Sequence, residues 1–206
     1  LQFAPSSHAA VFPFAAMSVM GMVLGATVLG ERLGRRKLTG IAVVLTGLVL
    51  VSGVDAASFT ARAALGDLMF LAAGTLWAGF GIVLRKHRLG PLLATAVVSL
   101  SALLTYVPVY LFSVGVDRLS AVAPHVFWIE VLVQGVIAGA GTLFTYAKMV
   151  SLLGPGRAAI FPALAPGLAA LMAWPVLGHL PSGAEAAGLL VAMAGLLLAV
   201  TAPARR

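Results

Sequence analysis

A chain of 206 residues that is 61% hydrophobic and only 9% charged cannot cover a water-facing surface, since soluble domains carry roughly 25% charged residues. Its net charge of +7 comes from thirteen bases against six acids. The bases sit in short clusters between apolar runs without interleaved aromatics, which argues against a nucleic-acid partner and for orientation in a lipid bilayer. Cysteine is absent, so disulfide and thiolate chemistry are excluded and nothing follows about redox compartment.

Seven apolar stretches approach the ~20 helical residues that cross ~30 Å of hydrocarbon. They run roughly over 9–29, 38–53, 66–84, 92–115, 126–147, 157–178 and 185–202. Lipid offers the backbone no hydrogen-bond partners, so each stretch is predicted to be an α-helix. The runs are too long and too uniformly apolar for β-barrel strands. The expected fold is therefore an all-α integral membrane protein with seven transmembrane helices.

The first stretch opens on Ala9-Ala10-Val11-Phe12-Pro13 and is followed by the connector Gly30-Glu31-Arg32-Leu33-Gly34-Arg35-Arg36-Lys37. The second carries Gly40 and Gly47, spaced for close helix packing rather than chemistry. The third places Trp77 among Gly74, Thr75 and Gly81, where an indole is either core packing or an aromatic wall for a cationic or amphipathic ligand. Tyr106 and Tyr110 flank Pro108 in the fourth; Tyr110 reads as an interfacial belt residue, and the role of Tyr106 stays open. Glu130 begins the fifth, either hydrated at the interface or serving as a proton or cation site, with Gln134 one turn deeper on the same face. Thr142 and Tyr146 share a face further along, near Gly135 and Gly139, and suit a polar track. Lys148 is expected to snorkel to the interface.

The sixth stretch opens on Ala158-Ala159-Ile160-Phe161-Pro162. A proline deletes a backbone N–H and frees the carbonyl one turn earlier, which in lipid must face protein or water. Pro162 and Pro166 therefore mark a bent, cavity-lining helix, or else a kink used only for packing. The seventh repeats the glycine spacing with Gly188 and Gly195. His8, His87, His125 and His179 fall at segment ends or in connectors, too scattered for a metal site, and no phosphate-binding loop is present. No cofactor and no catalytic residue is expected.

Ala9–Pro13 returns as Ala158–Pro162, 149 residues later, and 38–51 returns as 186–199 at an offset of 148. The connectors inside the two copies differ. The first is basic, whereas Gly178-His179-Leu180-Pro181-Ser182-Gly183-Ala184-Glu185 has no Lys or Arg. Basic connectors stay cytoplasmic, so the two copies face opposite ways. With Arg32–Lys37 inside and the helices alternating, eleven Lys and Arg lie inside and only Arg62 and Arg118 outside, together with Asp55, Asp67, Asp117 and Glu185. The C-terminus is then cytoplasmic, and the expected location is the inner or plasma membrane, multi-pass. The second copy has five helices and the first only its last two, so a 5+5 inverted-repeat bundle is expected with the N-terminal helices absent from this chain. The expected partition is 1–53 (end of the first repeat), 54–65 (extracytoplasmic linker), 66–202 (complete second repeat) and 203–206 (cytoplasmic tail).

Leu29-Gly30-Glu31-Arg32-Leu33 followed by Gly40 and Gly47, Leu76-Trp77-Ala78 before a basic helix end, Gly154-Pro155-Gly156-Arg157-Ala158-Ala159 and the spacing from Pro166 to Gly178 resemble the EamA-type repeat of the drug/metabolite transporter superfamily. The resemblance implies a ten-helix transporter of small metabolites or drugs, often outward, with both termini cytoplasmic. Two positions depart from it: His179 follows Gly178 where the family usually has glutamate, and Ser18 stands where Pro166 predicts a proline in the first copy. The function expected is a secondary permease or exporter working by alternating access on a small-molecule substrate in the bilayer. Proton or cation coupling and homodimer formation are left open. A lone copy of the 206 residues is expected to be inactive, with one cavity wall missing. The alternative is a membrane-embedded enzyme, which would need a paired nucleophile or several buried carboxylates; Ser99, Ser101 and Ser113 have no intramembrane histidine beside them. A seven-helix receptor follows only from counting helices and is rejected.

Overall fold

The computed structural model describes residues 3–4, 6–31, 33–52, 60–116, 122–177 and 182–201. Arg32, Asp55, Asp117, Arg118, His179, Arg205 and Arg206 lie outside the described residues. Every regular element among those described is helical. In chain order they are α1 (Ser6–Leu29), α2 (Arg35–Ser52), α3 (Ala61–Lys86), α4 (Pro91–Val114), α5 (Pro124–Leu153), the short α6 (Pro155–Ala158), a 3₁₀ turn (Phe161–Leu164), α7 (Ala165–Leu177) and α8 (Gly183–Val200).

Among the described residues the apolar stretches fall mainly on helix, with that over 157–178 interrupted. Among the described residues, four helices are long and apolar enough to cross a membrane by length and composition: 8–29, 61–86, 91–114 and 124–153. The other three depart for separate reasons. The first turn of α2 carries Arg35, Arg36 and Lys37. The apolar run of α8 is short, and the stretch over 155–177 is broken into pieces. Within α5 the segment Val131–Gly141 is wound as a π-helix, so each N–H reaches back five residues instead of four.

The chain forms two compact units, one of residues 1–83 with 153–206 and one of residues 84–152. In the first unit the core is Met22 of α1, Ile41, Val44 and Leu48 of α2, Ile160 and Ala163 of the broken stretch, and Leu196 and Ala199 of α8. What brings α2 and α8 together is the absence of side chains. A Cβ at Gly40 would lie 2.6 Å from the Ala199 nitrogen and 2.8 Å from the Gly195 oxygen; one at Gly47 would lie 2.5 Å from the Ala192 nitrogen and 2.7 Å from the Gly188 oxygen. As α2 is followed from 40 to 47, its partner runs from 195 to 188, so the helices are antiparallel. Gly40 and Gly188 are equivalent repeat positions, as are Gly47 and Gly195. Gly40 meets Gly195 and Gly47 meets Gly188, which is the reciprocal pattern of a two-fold contact. Small residues let helix backbones approach in this way where lipid supplies no hydrophobic drive.

In the same unit α1 and α3 pack side by side with residue numbers rising together. Ala4 lies against Gly66, and Gly74 lies against Pro13, Ala16 and Met17. The second unit comprises α4, α5 and the tail of α3. Most side chains of α4 and of 124–138 are exposed, as suits helices whose apolar surface faces hydrocarbon. Arg85 donates to the Ser151 carbonyl at 3.4 Å there.

Candidate functional site

The residues singled out from sequence sort into the two units. Trp77, Pro162 and Pro166 belong to the first, and Tyr106, Glu130, Gln134, Thr142 and Tyr146 to the second. Trp77 is half-buried and stands edge-on to Phe80, ring centres 5.9 Å apart. Tyr106 is exposed and stacks on Tyr110 at 6.2 Å. Glu130, Gln134 and Thr142 are exposed, whereas Tyr146 is buried. Glu130 is the last residue before the π-helical segment, which contains Gln134.

Pro162 and Pro166 frame a real interruption. α6 ends at Ala158, the chain turns through Ala159 and Ile160, and only at Ala165 does α-helix resume. Pro166 sits at the second position of α7, where the missing N–H costs no intrahelical bond. Within the break, the Ala163 N–H bonds the Ile160 carbonyl at 3.1 Å, three residues back rather than four. The Ala159 carbonyl loses its helical donor in consequence. Ser18 of α1, fully buried, donates its hydroxyl to that oxygen at 3.3 Å. This gives a physical reason for a hydroxyl at the position where the other repeat has Pro166. Gly21 permits the approach, since a Cβ there would come within 2.6 Å of the Ala159 Cβ.

Among the described residues, two close pairs of ionisable side chains, neither singled out from sequence, lie in the same unit. At one end of α1, Gly30 turns the chain with φ of +68°, a conformation that glycine adopts without strain. Glu31 then folds back, and its Oε2 meets Nζ of Lys37 at 3.2 Å. Lys37 is only 7% exposed. Glycines make the space: a Cβ at Gly156 would lie 2.6 Å from the Lys37 nitrogen and 2.8 Å from the Glu31 oxygen, and one at Gly25 would lie 3.0 Å from the same carboxylate. Glu31 and Lys37 lay within a connector whose charge was read only as an orientation signal. The Gly-rich neighbours Gly25, Gly154 and Gly156 were the available hint that something polar packs between them.

At the opposite end of α1, His8 Nδ1 and Asp67 Oδ1 are 2.7 Å apart. His8 is 0% and Asp67 9% exposed, and the imidazole also packs on Phe12 with ring centres 5.3 Å apart. The sequence reading placed His8 at a segment end and Asp67 in an outer connector. α3 begins earlier than hydropathy suggested, at Ala61, which carries Asp67 almost two turns into the helix beside α1. Among the described residues no group of three His, Asp or Glu side chains gathers as a metal site would require.

An all-helical chain with inverted glycine-mated helices invites comparison with transporters. Residues 64–201 match the EamA-like transporter family. The chain belongs to that family. This EamA-like chain is also 31% identical, over 195 residues, to a "Probable amino-acid metabolite efflux pump" of Salmonella typhimurium. The match covers 90% of the chain and 64% of that relative, so the chain spans less than two thirds of the relative's length. No solved structure matches it. An EamA-like chain with these apolar helices is a multi-pass membrane protein.

Proposed function

We propose that the chain forms part of a secondary transporter that exports small metabolites of the amino-acid class, its two inverted repeats rocking about a site near the middle of the bilayer. The single observation that carries this reading is the antiparallel contact of α2 with α8 through equivalent glycines, the interface expected where inverted repeats meet. The amino-acid class is taken from the relative's printed description. On this reading 1–53 closes the first repeat, 54–65 links the two outside the cytoplasm, 66–202 is the second repeat and 203–206 is a cytoplasmic tail. Trp77, Tyr106, Glu130, Gln134, Thr142 and Tyr146 supply polar and aromatic groups for the substrate path. The broken stretch around Pro162 and Pro166 offers the unwound backbone such sites use. The protein acts as a carrier rather than an enzyme, in the inner or plasma membrane with its C-terminus inside.

The test is counterflow of radiolabelled leucine, threonine and phenylalanine into proteoliposomes, with the chain reconstituted at one copy or at many copies per vesicle. Uptake of at least one amino acid is expected. No uptake at any density refutes the proposal. Cysteines introduced at Gly34 and Gly183 should label from opposite sides of the membrane; labelling from a common side removes the inverted repeat.

A further inference from the structure

The buried pair His8–Asp67 has no part in the substrate path described above. Two ionisable groups removed from water at the edge of the hydrocarbon are poor adhesive. Their desolvation offsets most of the Coulombic gain, and apolar residues of similar volume often hold helices together as well or better. Ionisable groups within membrane helices instead tend to mark ion and proton paths. Imidazole is the ordinary side-chain carrier of exchangeable protons near neutrality.

The geometry points to His8–Asp67 as the proton-coupling site of the transporter, one proton exchanged per substrate exported. The inference rests on the transport reading above and names the ion and the residues that carry it. A carboxylate oxygen only accepts, so Nδ1–H of His8 donates to Oδ1 of Asp67 across the 2.7 Å contact. Removing one proton from the pair changes its net charge by one in a place closed to water. A charge change there is tolerated only if α1 and α3 part enough to hydrate the pair, or if a charged substrate compensates. α1 belongs to the first repeat and α3 opens the second, so hydration of the pair and separation of these two helices are one event.

The elements packed at this point are α1, α3 and Phe3–Ala4. Among the described residues the charged or titratable groups they bring to this end are His8, Asp67 and the exposed Arg62, five residues before Asp67. The unbroken run 9–31 of α1 and its connector adds no other charge before Glu31, at the far end. Gly66 and Gly74, which allow α3 to lie against Ala4 and Ala16, keep the pair closed when it is formed. The cycle balances: a proton enters from the acidic side onto the pair, the repeats close over it, and the proton leaves to the opposite side as substrate moves the other way.

Proteoliposomes carrying many copies of the full chain are loaded at a lumenal pH one unit below the outside, with the membrane potential clamped by potassium and valinomycin. Radiolabelled leucine, threonine and phenylalanine are the probes. With one proton exchanged per substrate, a one-unit gradient supports about tenfold accumulation in the acidic lumen, since each pH unit is a tenfold ratio of proton activity. Asp67→Asn keeps the shape and the hydrogen bond but not the charge. It is expected to retain counterflow at equal pH within about twofold while accumulation falls to a ratio of about one. His8→Gln should behave alike, and Asp67→Glu should restore at least half of the accumulation. Wild-type counterflow without gradient-driven accumulation overturns the coupling site and leaves the transport reading standing. So does Asp67→Asn accumulating as the wild type does. If the wild type shows no counterflow at all, it is the transport reading that fails and the coupling site falls with it.

Discussion

Replacing Gly47 by alanine tests the contact on which the two-fold arrangement depends. The added Cβ would stand 2.5 Å from the Ala192 nitrogen, 2.7 Å from the Gly188 oxygen and 2.8 Å from the Ala192 Cα. Non-bonded carbon contacts are comfortable at roughly 3.5–4.0 Å. All three atoms are backbone, so no side chain can swing away, and α2 must part from α8 by about 1 Å. Overpacking costs about 1–3 kcal/mol, and backbone on both sides puts this case near the upper end. The gain in helix propensity from glycine to alanine offsets about 1 kcal/mol. A net loss of about 2 kcal/mol remains, which in a chain of this size lowers the melting temperature by roughly 4–8 °C. Gly195→Ala should match it, because its Cβ would lie 2.6 Å from the Val44 nitrogen and 2.7 Å from the Gly40 oxygen. The double variant should lose less than the sum, since helices already parted admit a second methyl more cheaply. Gly79→Ala is the control, with nothing within 4 Å of the new methyl, and should melt at or slightly above the wild type. Thermal unfolding in one detergent, followed by circular dichroism, reads all four. Equal melting of Gly47→Ala and Gly79→Ala refutes backbone contact between α2 and α8.

Glu31→Gln leaves the Lys37 ammonium, 7% exposed, without its carboxylate partner and should cost about 3 kcal/mol; Lys37→Met added to it should recover most of the loss in the same melting experiment. Ser18→Ala removes the donor to the Ala159 carbonyl at 3.3 Å and should cost about 1 kcal/mol. In Ser18→Thr the hydroxyl is kept, and the amide of Ile160, observed by hydrogen exchange, should stay closer to wild-type protection than in Ser18→Ala.

The membrane-embedded helical class was legible because lipid imposes it: a chain with 9% charged residues has too little charge to cover a soluble domain, and backbone in hydrocarbon must close its own hydrogen bonds. Gly40, Gly47, Gly188 and Gly195 were legible as packing positions for the same reason, as a glycine spaced along a lipid helix marks close approach. Pro162 likewise announced an irregular backbone. Composition and periodicity are local properties, and these features depend on little else.

Partners depend on tertiary structure. Nothing near Ser18 in sequence indicates that its hydroxyl serves Ala159, 141 positions away. Hydropathy starts the third stretch at 66, five residues after the helix begins at Ala61, because Arg62 and Asp67 lower the local average, and so it leaves Asp67 at the outer edge of the span. Only the packing of α3 on α1 turned that residue into the buried partner of His8. Glu31 and Lys37 are six residues apart and look like solvated connector charges until Gly25 and Gly156 close around them. The sequence by itself determined that the chain is helical and apolar enough for the bilayer, since transfer into lipid is a sum over residues. The tertiary structure decided which polar groups meet there, since a buried charge takes whatever partner the packing of distant helices brings within reach.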